Sequence, residues 1–345
     1  AASDVYKRQG IDYKPGDPEE DALAVTDALP EIEDLCFLEV PKFFSLKGSV
    51  VTPAMMLELS RAVQRVLIRP EVSGVVVTQP ADNIEETAYF VSISLSDVFQ
   101  NQNSKPIVFT TCMNPEDPMF DGTKNLLDSI RVACHDVKGD IPTVVVCMNG
   151  EIHAASRAQL THTNKASALA SPGWGPVGYV DRDNVYFRCG ALELDTGLNF
   201  PMLKKLTAKV PVVKAMCGDD GALLEMVLEK EPDAIIVEGF GRGNLPAGMM
   251  PAIKKAVKKG IFVVISTRAS SGRVLDSTVF PGSVAQCLES GCLLAGETTT
   301  AKARLLLMYV LSQKEAIQLK KEDPERFFAY VQECLDPVLT NRLFG

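Results

Sequence analysis

Six short runs of branched apolar residues constrain this chain more than any other feature. They are Gly74-Val75-Val76-Val77-Thr78, Pro106-Ile107-Val108-Phe109-Thr110, Thr143-Val144-Val145-Val146-Cys147, Val210-Pro211-Val212-Val213, Ala234-Ile235-Ile236-Val237-Glu238 and Ile261-Phe262-Val263-Val264-Ile265. Unbroken Val/Ile runs of this length suit strands covered on both faces, and so a parallel sheet. Helical patterns lie between them. Thr52-Pro53 opens one, with Thr as cap and Pro in the first turn, and apolar positions recur at helical spacing as far as Leu67. Residues 83–99 and 122–134 read as two more, and residues 251–260 as a basic helix closed by Gly260. Alternation of strand and helix predicts an α/β fold.

At 345 residues the chain is long for one domain. Gly190, Gly197 and Pro201 mark a break before the strand at Val210. The expectation is two domains: a larger N-terminal one over residues 10–190 with a mostly parallel sheet flanked by helices, and a smaller parallel α/β domain over 211–345. Residues 191–210 would join them. The first nine residues fit no element and are set aside.

Charge and cysteine usage exclude several classes. The net charge is −9, and no basic patch interleaved with aromatics occurs, which argues against nucleic acid. The nine cysteines are odd in number, are scattered, and form no CxxC pair. That usage points to a reducing, cytoplasmic setting and not to a disulfide framework. Even the nearest pair, Cys287 and Cys292, lacks metal-ligand spacing. The longest apolar run, at residues 304–311, is too short to cross a bilayer, so no membrane partner is expected.

Ligands in open α/β sheets bind beyond the carboxyl ends of strands, which singles out three loops. Thr78-Gln79-Pro80-Ala81-Asp82-Asn83 runs from a strand into a helix; Asp82 or Asn83 would cap that helix, or Asp82 would hold an amino group. Glu238-Gly239-Phe240-Gly241-Arg242-Gly243-Asn244-Leu245-Pro246 has three alternating glycines that could cradle an anion, although the spacing is not a nucleotide motif. Gln159-Leu160-Thr161-His162-Thr163-Asn164 offers His162 as a base, with no partner near it in sequence; a lone histidine in such a loop is more often structural.

These loops also carry a resemblance. Gly74 to Thr78 followed by Glu85-Glu86-Thr87-Ala88-Tyr89-Phe90 is similar to the GVVVTHGTDTLEETAYF stretch of the L-asparaginase/glutaminase family. Asp121-Gly122-Thr123-Lys124-Asn125-Leu126 resembles its ADGPxNL, Thr161-His162-Thr163 its KTHTT, Gly175-Pro176-Val177-Gly178-Tyr179-Val180 its GPLGYV, Glu238 to Pro246 its EGFGAGNxP, and Lys302 to Leu307 its KARxLL. The resemblance covers nearly the whole chain. It implies hydrolysis of L-asparagine or a related amide to acid and ammonia, with no metal or cofactor. The chemistry is nucleophilic catalysis by hydroxyls. It also implies a homo-oligomer, a dimer or tetramer, in which an Asn from a neighbouring subunit completes each site.

By that resemblance Asp82 is retained as catalytic and substrate-binding Asp. Ala81 stands where the family has its Thr, and Leu160 where it has its Lys. Gln79-Pro80 replaces the family's His-Gly. Ser49 aligns with the substrate loop, Asn244 with the intersubunit Asn, and Tyr13 with the mobile-loop Tyr. The TGGT nucleophile motif is expected at or before the start of this chain. Ala cannot attack, and Leu cannot lower a hydroxyl's pKa. Loss of members of a cooperating unit costs many orders of magnitude in rate. Lys165 is five residues too far along to replace the amine. Two readings remain: an amidohydrolase with impaired or altered activity, and a non-catalytic member that binds an amino acid or a protein partner.

Overall fold

Each apolar run contributes a strand; those in the sheet interiors bury both faces, odd residues to one side and even residues to the other, while the edge strand at Val212–Lys214 leaves one face exposed. The computed structural model describes residues 29–40, 48–100, 105–113, 121–135, 143–188, 199–275 and 278–336. The chain divides into two compact units, one up to Met202 and one from Leu203.

In the first unit the elements are α1 (Pro53–Leu67), β1 (Val75–Thr78), α2 (Ile84–Ser94), α3 (Ser96–Gln100), β2 (Ile107–Thr110), α4 (Gly122–Cys134), β3 (Val144–Met148), β4 (Glu151–Ala154), β5 (Gln159–Leu160), β6 (Leu169–Ala170), β7 (Gly178–Asp181) and β8 (Asn184–Phe187). The main sheet runs β1-β2-β3-β4-β7-β8. Its first three strands are parallel and the remaining three pair antiparallel. The sheet is therefore mixed, where a mostly parallel one was expected. The antiparallel half escaped the apolar-run criterion because β7 and β8 alternate buried or half-buried with exposed residues, having one wet face. β5 and β6 form a separate small hairpin.

Strand alternation builds two cores. Ile107, Phe109, Val144 and Val146 face Val63, Leu67, Ile84, Ala88 and Val91 of α1 and α2. Val108, Val145 and Cys147 face Val132 and Ala133 of α4. Thr52 caps α1 as expected, its hydroxyl accepting from the Met55 N–H at 3.3 Å. The helix expected over 83–99 is two helices, because Leu95 (φ −106°) leaves helical geometry between α2 and α3.

In the second unit the elements are β9 (Val212–Lys214), α5 (Ala222–Leu228), β10 (Ala234–Gly239), α6 (Met250–Lys258), β11 (Phe262–Thr267), α7 (Val284–Glu289), β12 (Leu293–Leu294), α8 (Thr300–Val310), α9 (Lys314–Glu322) and α10 (Pro324–Leu335). The sheet is all parallel in the order β12-β11-β10-β9. One face packs on Leu224, Leu228, Met250, Ile253 and Cys287 from α5, α6 and α7. α8 packs on β10, and α10 on β12. The short edge strand β12 is closed by Gln332 of α10, whose carboxamide accepts from the Leu294 N–H at 2.9 Å and donates to the Leu294 carbonyl at 3.0 Å. Among the described residues no helix is long and apolar enough to cross a membrane.

Candidate functional site

The first candidate loop leaves β1 at its carboxyl end. The Gln79 N–H donates to the Thr110 carbonyl at 3.2 Å, extending the β1-β2 ladder by one residue. Pro80 then turns the chain into a single 3-10 turn, Ala81–Asn83, closed by the Ile84 N–H on the Ala81 carbonyl. Inside this turn the polar groups satisfy one another. Gln79 Nε2 donates to Asn83 Oδ1 at 3.2 Å and to Thr87 Oγ1 at 3.3 Å. The Thr87 hydroxyl donates to the Asn83 carbonyl at 3.1 Å. Asn83 occupies the N-cap position of α2, but its side-chain oxygen is taken by Gln79, so the expected side-chain cap does not form there. Asp82 does not cap the helix either. It is exposed, and its carboxylate has no hydrogen bond or ion pair among the described residues.

Ser49 sits in a second 3-10 turn, Gly48–Val50, just ahead of α1. The two turns lie against each other, so Ser49 and Asp82 are brought to one place. Ser49 is also exposed and without a hydrogen bond among the described residues.

Leu160 arrives by a different route. One edge of β5 pairs with β6, where Leu160 stands opposite Leu169. The Leu160 N–H points to the other side and donates to Glu85 Oε2 at 2.5 Å. Glu85 lies in the first turn of α2, one helical turn beyond Ala81. A carboxylate on a backbone N–H is a strong, directional tie. It docks the hairpin against the first turn of α2, the helix that follows the Asp82 turn. Sequence reasoning missed Glu85; the available signal was a carboxylate four residues after Ala81 on a helix start.

Asn125 was missed too. It is buried on α4, donates to the Thr111 carbonyl at 2.9 Å and accepts from the Asn149 N–H at 2.8 Å. It thereby ties together the loops that follow β2 and β3. The signal was an amide at a helix position that faces the sheet.

His162 has the structural role weighed for it: Nδ1 accepts from the N–H groups of Asn164 and Lys165, both at 3.2 Å, closing its own turn. Lys165 is exposed on the loop between β5 and β6. Tyr13 and Lys47 lie outside the described residues.

His153 on β4 is the buried histidine. Its Nδ1 is 3.0 Å from Ser171 Oγ and its Nε2 3.4 Å from Glu151 Oε2. Burial holds its pKa below the usual 6.5, and Glu151 opposes that only in part. The fold therefore favours the neutral ring. As pH falls through about 6.5 the unfolded chain takes up this proton more readily than the folded one, and stability drops. The urea midpoint is expected to fall between pH 7 and pH 5, and His153→Gln to remove part of that fall.

In the second unit the glycine loop after β10 closes on itself. The Phe240 carbonyl accepts from the N–H groups of Gly243 (2.8 Å) and Asn244 (3.0 Å), and the Phe240 N–H donates to the Asn244 carbonyl at 2.8 Å. These amides are spent, so the loop does not present them to an anion. Gly239 and Gly243 serve close packing: a Cβ at Gly239 would meet the Gly243 carbonyl oxygen at 2.7 Å, and one at Gly243 would meet Val274 at 2.7 Å. Asn244 is half-buried, and its Oδ1 accepts from the Val284 N–H at 3.2 Å, at the start of α7. That bond turns the carboxamide so that its donor end faces away from the helix. Cys287 and Cys292 are buried and free, and no metal-binding cluster occurs among the described residues.

Comparison with known proteins agrees with this arrangement. The family description "Asparaginase, N-terminal" matches residues 5–191, and "Glutaminase/Asparaginase C-terminal domain" matches residues 209–322. The chain is 30% identical to an L-asparaginase of Bacillus licheniformis over 84% of this chain and 89% of that protein. It is 26% identical to a glutaminase-asparaginase of Pseudomonas aeruginosa, over 84% of this chain and 77% of that protein. Among solved structures, a probable cytoplasmic L-asparaginase from Campylobacter jejuni superposes with a TM-score of 0.77 at 25% identity, over 90% of each chain. Both domain descriptions are matched in order on a fold of the same shape: the chain belongs to the asparaginase/glutaminase family.

Proposed function

We propose that this protein binds a small L-α-amino acid or its amide at the Asp82 turn and hydrolyses amides to acid and ammonia slowly. The observation that carries the reading is the free Asp82 carboxylate beside the free Ser49 hydroxyl on two abutting turns. An ammonium group pairs with the first, and a carboxylate accepts from the second. The impaired half of the proposal rests on Ala81 and Leu160, which supply no hydroxyl and no amine where the family's chemistry uses both. That pair also favours the second reading, an asparaginase fold kept for binding alone.

The finer features follow the same line. Residues 10–190 and 211–345 act as two domains joined by 191–210. The protein is cytoplasmic, in keeping with its reduced cysteines, and assembles as a dimer or tetramer, with Asn244 offered to a neighbouring copy. Tyr13 is a further candidate for ligand binding by the family resemblance.

Ammonia release from L-asparagine and L-glutamine, measured beside the Bacillus licheniformis enzyme, tests the catalytic half. A rate lower by about a thousandfold or more is expected, since cooperating catalytic groups are missing. A comparable rate would refute impairment. A thermal-shift screen with amino acids tests the binding half; no shift together with no ammonia would remove the whole reading.

A further inference from the structure

We infer that the pocket beside Asp82 selects an L-α-amino acid with an apolar side chain over one that ends in a carboxamide. The inference rests on the binding proposed above and adds the class of ligand.

Three observations lead to it. First, the Glu85 tie fixes the Leu160 backbone to the first turn of α2, the helix that follows the turn carrying Ala81, so the elements that bear the family's Thr and Lys positions are linked and both positions are apolar. Leu160 is half-buried and stays outside the core cluster that takes its cross-strand partner Leu169. Its hydrocarbon surface is open to a guest.

Second, the polar groups nearest to that surface are spent. Both N–H bonds of Gln79 Nε2 go to Asn83 and Thr87, the Thr87 hydroxyl goes to the Asn83 carbonyl, and Glu85 Oε2 takes the Leu160 N–H. None of these donors remains for the carbonyl of a ligand carboxamide. The oxygen of a carboxamide placed there gives up its hydrogen bonds to water and finds no donor among these groups, whereas an aliphatic chain gains contact.

Third, the amino-acid end is kept polar. Asp82 and Ser49 carry the free carboxylate and the free hydroxyl. One end of the site thus reads the charged head of an amino acid, and the other end rewards hydrocarbon.

Isothermal titration of the full chain tests this with two pairs of similar size: L-leucine against L-asparagine, and L-methionine against L-glutamine. The apolar member of each pair is expected to bind at least about tenfold more tightly, the scale on which pockets read small apolar differences. In the double variant Ala81→Thr/Leu160→Lys the preference is expected to shrink or reverse. Leu160→Gln, which adds no charge, is expected to shift it the same way. Should L-asparagine and L-glutamine bind the unaltered protein as well as or better than their apolar counterparts, the inferred selectivity is wrong while the amino-acid reading of the site stands. Should none of the four bind, both fall.

Discussion

Asp82→Asn is expected to weaken amino-acid binding about 30-fold or more while leaving the unfolding midpoint where it was. The Asp82 carboxylate is the group proposed to meet the ligand's ammonium, and deleting one member of a hydrogen-bonded charge pair costs about 2 kcal/mol or more. Its own fold does not lean on it. Asp82 is exposed and has no partner among the described residues, so the substitution removes no internal contact. Titration calorimetry reads the first effect and urea denaturation the second. A midpoint that drops with the affinity would mean that Asp82 shapes the turn and does not meet a ligand.

Gly282→Ala should produce the largest loss of stability. Gly282 is buried at φ +86°, where an L side chain is strained, and a Cβ there would stand 2.1 Å from the Leu245 carbonyl oxygen. No rotamer relieves that approach, because backbone meets backbone. The Gly282 carbonyl also accepts from the Leu245 N–H at 2.8 Å, next to Asn244. Left-handed strain and forced overpacking together should cost about 3 kcal/mol or more. The displaced strip is the one that positions Asn244, so the variant is also expected to loosen assembly. Urea denaturation and sedimentation velocity check the two effects. A variant as stable as its parent would show that this contact yields easily.

Gly74-Val75-Val76-Val77-Thr78 shows why much of the fold could be read in advance. A run with no polar residue to alternate can be buried only on both sides, and it became the parallel strand β1. The opposite holds for β7, where Tyr179 and Asp181 interrupt the apolar positions and the strand has one wet face. It pairs with β8 across the short turn at Arg182-Asp183 and with the more distant β4, and so short an alternation carries little signal by itself. Ala81 and Leu160 could be marked only through the resemblance; neither residue type announces a site. What links the elements that carry them is the hydrogen bond from the Leu160 N–H to Glu85, 75 residues away. No spacing rule predicts a side-chain-to-backbone tie across that separation. Asp82 was legible as a strand-end carboxylate, but its lack of any partner needed coordinates. The glycine loop could not be decided from its spacing, since alternating glycines look alike whether an amide faces a ligand or, as the Gly243 N–H does, the Phe240 carbonyl of the same loop.

The second unit lays its strands side by side in the order in which they occur along the chain, from β9 at one edge to β12 at the other. During translation each new strand therefore leaves the ribosome with its neighbour already waiting. The layer widens by one helix-backed step at a time, and little apolar edge is left bare for long. Only the last seam, where Gln332 covers Leu294, has to wait for residues made almost forty positions later.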